Sequence, residues 1–111
     1  MINILIIKSK QNITTIEATG HSGYAEVGSD IVCSAVSTLM QNLANGITDV
    51  VKAEAKVVVD EDVPHLSVTI CEQNVDKQKL AQVLLQTTAQ SLKEVANGYS
   101  KFIKIKEKQN D

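Results

Sequence analysis

Aromatic side chains are scarce in this chain: Tyr24, Tyr99 and Phe102 are the only three, too few for the stacking platform on which single-stranded nucleic acids are held. An excess of positive charge is also missing. Eleven basic residues stand against thirteen acidic ones, a formal net charge of −2, so no broad basic surface is available for a phosphate backbone. Direct nucleic-acid binding is not expected. The one basic cluster, Lys101, Lys104, Lys106 and Lys108, alternates with Ile103 and Ile105 and reads as the solvated face of a strand. No apolar run approaches the ~20 residues that a membrane helix needs. Residues 1–8 have neither the basic region nor the small-residue cleavage site of an export signal. The expectation is a cytoplasmic protein with no membrane partner, in which the two cysteines, Cys33 and Cys71, stay reduced.

The 111 residues suffice for one core and one domain, spanning residues 1–111. Isoleucine and threonine dominate residues 2–8 and 12–19, separated by Ser9, Lys10 and Gln11, the pattern of a β-hairpin. From Asp30 the apolar residues Val32, Val36, Leu39, Met40, Leu43, Ile47 and Val50 recur at steps of three and four, predicting an amphipathic helix to about residue 51. Gly46 is a modest weakness within it. A second hairpin follows, with Ala55, Val57 and Val59 alternating before residues 60–64 and Leu66, Val68 and Ile70 after them. Leu80, Val83, Leu84, Leu92, Val95 and Ala96 form a second helical stripe, opening near Asn74 or Asp76 and closing at Gly98 as a C′ residue. A last strand covers about residues 101–107. The order β-β-α-β-β-α-β predicts an α+β two-layer sandwich, two helices on one face of a mainly antiparallel sheet.

Between the second strand and the first helix runs Gly20-His21-Ser22-Gly23-Tyr24-Ala25-Glu26-Val27-Gly28-Ser29-Asp30-Ile31-Val32-Cys33. Three glycines between residues 20 and 28 allow backbone angles closed to other residues and suit a loop that moves. With Asp30 as N-cap, Cys33 falls at the third helical position, where unpaired backbone N–H groups and the positive end of the macrodipole favour an anion. A thiolate is such an anion, and a nearby imidazole completes the environment that activates a nucleophilic cysteine. Taken alone, the pattern has a second reading: an inert cysteine packed on a helix and a polar histidine at a strand end.

The stretch from Gly20 to Ser37, G-H-S-G-Y-A-E-V-G-S-D-I-V-C-S-A-V-S, resembles the signature of the ribosomal-processing cysteine protease family, in which G-H-x-G and D-I-V-C-x-x-x-S flank a short glycine-containing loop. The resemblance implies that His21 and Cys33 are the catalytic dyad and that Gly20, Gly23, Asp30 and Ser37 hold the motif's auxiliary positions. It also implies the family's reaction, removal of an N-terminal extension from a large-subunit ribosomal protein by thiolate acyl transfer. A precursor ribosomal protein would be the substrate, the enzyme a homodimer, and no cofactor would be required. Ser37 lies one turn after Cys33, where it suits either a contact with substrate or a hydrogen bond to the carbonyl of residue 33. Asp30 either orients His21 or only caps the helix.

Gly23 to Ser29 approximates a phosphate-binding loop but lacks its lysine, and Glu26 and Asp30 would repel phosphate. Cys33, Cys71, His21 and His65 offer zinc-ligand types without zinc-ligand spacing, so no metal site is expected. His65 and Cys71 stand at opposite ends of one strand, ~20 Å apart, and read as structural residues. The remaining alternative is a non-catalytic, ribosome-associated binding module of the same fold.

Overall fold

The structure, a computed structural model, describes residues 1–20, 29–60 and 65–110. Its elements are β1 (Ile2–Ser9), β2 (Asn12–Thr19), α1 (Ser29–Asn45), a π-helical segment (Gly46–Val51), β3 (Ala55–Asp60), β4 (His65–Ile70), α2 (Val75–Gly98) and β5 (Ile103–Gln109). The strands form one five-stranded sheet in the order β3-β4-β2-β1-β5. Three of its pairings are antiparallel, and β1 with β5 is parallel. The α+β architecture and element order match the expectation, with β5 displaced to Ile103–Gln109.

Alternation in the strands sets the core. Ile2, Ile4 and Ile6 of β1, Ile16 and Ala18 of β2, Val68 and Ile70 of β4 and Ile103 of β5 are buried, and the register places them on the same face of the sheet. Val32, Val36, Met40 and Leu43 of α1 close over that face together with Ala81, Leu85, Ala89 and Leu92 of α2. Each large aliphatic side chain contributes roughly 1.5–3 kcal/mol by leaving water. Gln82 of α2 ties the helix layer to the first hairpin: its Nε2 donates to the Ile13 carbonyl at 2.7 Å and its Oε1 accepts from the Ile13 N–H at 2.9 Å.

Four local expectations are corrected. Helix α1 begins at Ser29, so Asp30 is its second residue rather than its N-cap, and Cys33 is its fifth. The helical run does reach Val51, but through a π-helical segment that shifts the angular phase of later residues. Val50 is consequently turned outward, 79% exposed. Of the predicted α2 stripe Leu92 is buried and Leu84, Val95 and Ala96 pack against the core, whereas Leu80 and Val83 are exposed; Ala81, Leu85, Thr88 and Ala89 complete the buried side. On that side the small Ala81, Thr88 and Ala89 alternate with the large Leu85 and Leu92. Gly98 is the last helical residue, not a left-handed C′ glycine: the cap is Tyr99, and Gly20 is the only described glycine with positive φ. At the other end Asn74 caps α2, its side chain accepting from the Lys77 N–H at 3.0 Å. Gly46 also has a reason, since a Cβ there would lie 2.9 Å from Leu84 Cδ1.

Candidate active site

A cavity of about 300 Å³ opens between the N-terminal half of α1 and the end of the sheet at which β2 finishes and β4 begins. On its helix side lie Cys33, Val36, Ser37, Met40 and Gln41, whose steps of three and four put them on one stripe of α1. On its sheet side lie Ala18 and Thr19 at the end of β2 and Gly20 just after it, with Val59 of β3 and His65 and Leu66 of β4. Most of the lining is aliphatic. Polar groups come from Thr19, Ser37, Gln41 and His65 around that apolar surface, the usual character of a site for a small molecule or peptide side chain.

Cys33 is half-buried and packs against the hydrophobic core. It sits one turn into α1, close to the helix end at which unpaired backbone N–H groups gather. That is a suitable place for negative charge. Ser37 is exposed and lines the same cavity one turn later. Cys71 is exposed at the far end of β4, its thiol 3.7 Å from the Thr69 carbonyl, and does not line the cavity. Neither cysteine is in a disulfide.

Gly20 occupies a position that no other residue fits well. Its φ is +91°, and a Cβ there would lie 2.5 Å from the Met1 carbonyl oxygen. The chain thus leaves β2 by passing tightly beside the start of β1. His21 and Gly23 lie outside the described residues, as does the glycine-containing loop expected to move. Asp30 is placed by its backbone alone, in the first turn of α1.

Residue type marks His65 only as structural, and nothing local in the sequence places it at this cavity. It lines the cavity, and its Nε2 is buried with no hydrogen-bond partner, 3.7 Å from a Glu17 carboxylate oxygen. The signal that would have located it is the strand register, which sets His65 opposite Thr19 and therefore beside Gly20. Among the described residues no group of three or more His, Cys, Asp and Glu side chains gathers for a metal ion, and no helix is long and apolar enough to cross a membrane.

Comparison with known proteins gives a consistent result. Residues 1–104 match the family model described as cysteine protease Prp. A Staphylococcus aureus ribosomal processing cysteine protease Prp is 25% identical over 101 residues, covering 91% of this chain and 92% of the relative. A Streptococcus mutans crystal structure superposes with a TM-score of 0.87 at 28% identity, covering 99% of this chain and 96% of that one. The S. aureus enzyme crystallised with a covalently linked product peptide superposes with a TM-score of 0.83 at 27% identity, over 97% of this chain and all of that one.

Proposed function

This chain belongs to the Prp cysteine protease family, and from that premise we propose that it is an endopeptidase that removes the N-terminal extension of a large-subunit ribosomal protein. The observation that carries the reading is the cavity joining Cys33 and Ser37 of α1 with Gly20 at the end of β2, motif positions on two different elements, around a thiol near the start of a helix. Gly20 is covalently next to His21, so the strand that lines one wall leads directly into the second dyad residue.

In the reaction, His21 accepts the Cys33 thiol proton as the sulfur attacks the scissile carbonyl carbon. The carbonyl oxygen becomes an oxyanion, for which N–H groups of the first turn of α1 are suitable donors. Collapse of the tetrahedral adduct breaks the C–N bond, and His21 gives its proton to the leaving amine. Water, deprotonated by His21, then attacks the thioester and releases the carboxylate product and the thiol. Ser37 contacts bound peptide from the next turn of the helix, and the product and substrate are both polypeptide. Gly23 and Asp30 serve as auxiliary residues, Asp30 by orienting His21. A homodimer in the cytoplasm is the working form.

The test is incubation of the purified protein with the host's own precursor of that ribosomal protein, followed by mass spectrometry. A single cut at the junction of extension and body is expected from wild type and Cys71→Ser, and none from Cys33→Ala with an unchanged circular dichroism spectrum. Full cleavage by the folded Cys33→Ala variant would overturn the nucleophile assignment. An uncut precursor with every preparation would leave a peptide-binding module as the better account.

A further inference from the structure

The sheet has two edge strands, and they are finished differently. On β5 Lys104, Lys106 and Lys108 alternate along the strand, the charged edge by which proteins avoid pairing with another strand. On β3 the three consecutive residues Val57, Val58 and Val59 are β-branched, a sequence well suited to accept another strand. Among the described residues β3 pairs only with β4, so its second row of backbone N–H and C=O groups faces outward at every other residue.

The register puts Val57 and Val59 on the same face of the sheet as Val68 and Leu66, the face on which the helices lie. Even so, Val57 is 36% and Val59 61% exposed. The edge strand therefore extends beyond the cover of α1, and Val59 is at once an exposed apolar side chain of this edge and part of the wall of the Cys33 cavity.

We propose that β3 is the docking edge for the substrate: an apolar segment of the peptide adds to it as a further strand, with alternate side chains entering the cavity between Val59 and α1. This rests on the protease reading and extends it by naming the surface that holds the substrate. Strand addition supplies sequence-independent backbone hydrogen bonds, while the aliphatic cavity selects apolar side chains. From Cys33 to Gln41 the helix wall of the cavity is ~12 Å long, the length of about four extended residues. A peptide held on the edge is straight and fixed in register, so that the same side chains always enter the cavity, and a fixed register is what attack on one chosen carbonyl requires. The continuity of this edge with the Cys33 cavity favours a peptide over a second copy of the chain as its occupant.

Two measurements decide the matter with a synthetic peptide spanning the extension junction of the host's ribosomal precursor. Val59→Lys should raise KM by roughly tenfold, from lost apolar contact, with kcat within about twofold, while Val50→Lys should change neither. With wild-type enzyme, N-methylation of single peptide amides should raise KM by roughly tenfold at alternate positions only, a readout that does not depend on a variant folding. If Cys33→Ala abolishes cleavage while Val59→Lys and the N-methyl series leave KM unchanged, the protease reading stands and strand addition at β3 is wrong. If Val59→Lys instead dissociates a dimer and spares KM, the edge serves a second copy and the inference is equally wrong. If wild type does not cut the peptide, the protease reading fails, and hydrogen exchange of Cys33→Ala with the same peptide decides the inference: slowed exchange across Ala55–Asp60 upholds the docking edge, and unchanged exchange overturns it.

Discussion

Replacing Gly20 by alanine tests the geometry that leads the chain from the sheet into the site. The added Cβ would lie 2.5 Å from the Met1 carbonyl oxygen, against an ordinary carbon–oxygen approach of about 3.3 Å, so backbone on one side must move by several tenths of an ångström. The neighbour is main chain held by the Ile2 N–H bond to the Phe102 carbonyl at 2.8 Å, and it cannot turn aside as a flexible side chain would. Positive φ adds about 1–2 kcal/mol for a residue with a Cβ, and an overpacked contact about 1–3 kcal/mol. The expected total is roughly 2–5 kcal/mol, or a Tm lower by roughly 8–25 °C for a domain of this size. Gly98→Ala is the internal control. It sits at the end of α2 with nothing within 4 Å of its Cβ position, so alanine should stabilise by about 0.4–1 kcal/mol through the unfolded chain. Urea and thermal unfolding of the two variants should move in opposite directions, and kcat/KM should fall for Gly20→Ala alone because Ile2 and Gly20 both line the cavity. If both substitutions stabilise, the close approach to Met1 has been misjudged and Gly20 has no steric role.

Leu85, fully buried at the centre of α2, should cost about 2–5 kcal/mol on change to alanine, read as a lower urea midpoint with unaltered slope. Asn74→Ala removes the cap that accepts from Lys77 and should cost about 0.5–2 kcal/mol, largely restored by Asn74→Asp. The Glu72 carboxylate accepts N–H bonds from Asn74 and Glu54, which hold its pKa below the ordinary carboxylate value. Its contribution to stability is thus complete above the unfolded pKa of about 4.3 and is lost as pH falls through the lower folded value, so Glu72→Gln should flatten the acid limb of stability measured by urea titration. His21→Ala should slow cleavage ~100-fold or more and change the pH profile of Cys33 alkylation by iodoacetamide, whereas His65→Ala should leave that profile unchanged; the reverse result would assign the base to His65.

Element order was legible because alternation and the helical period are properties of residue type. Ile2, Ile4 and Ile6 announce a half-buried strand, and Val32, Val36, Met40 and Leu43 a helix stripe, before any tertiary contact is known. The face of α2 was less legible, because leucine and valine flank a stripe whose working members include Ala81, Thr88 and Ala89. Small size makes such residues suitable for close contact with the sheet and uninformative on a hydrophobicity scale. Strand order was hidden for a different reason: the parallel pairing of β1 with β5 joins residues about a hundred positions apart, and a local pattern carries no information about it. The exposure of Val50 depends on a single π-helical segment, a change of phase that no residue between 46 and 51 signals strongly.

The site was legible as a motif and not as a shape. Residues 20–37 pointed to Cys33 through glycines, a helix start and a resemblance, yet they could not say which distant strands would share its cavity. Topology supplies Val59, His65 and Leu66 from a hairpin that residue type marks only as structural. His65 illustrates how proximity and role can part. Its register partner Thr19 and its neighbour Leu66, paired with Ala18, stand on opposite faces of the sheet, and Leu66 is the one that packs toward the core and helices. The His65 imidazole therefore belongs to the face turned away from α1, and its Nε2 is set against Glu17 on that face. It lines the cavity from the sheet, whereas Cys33 lines it from α1. A base must meet the thiol proton on the side where the sulfur lies. Gly20 lines the same cavity as Cys33 and is followed in the chain by His21, which makes His21→Ala, rather than His65→Ala, the substitution expected to remove the base.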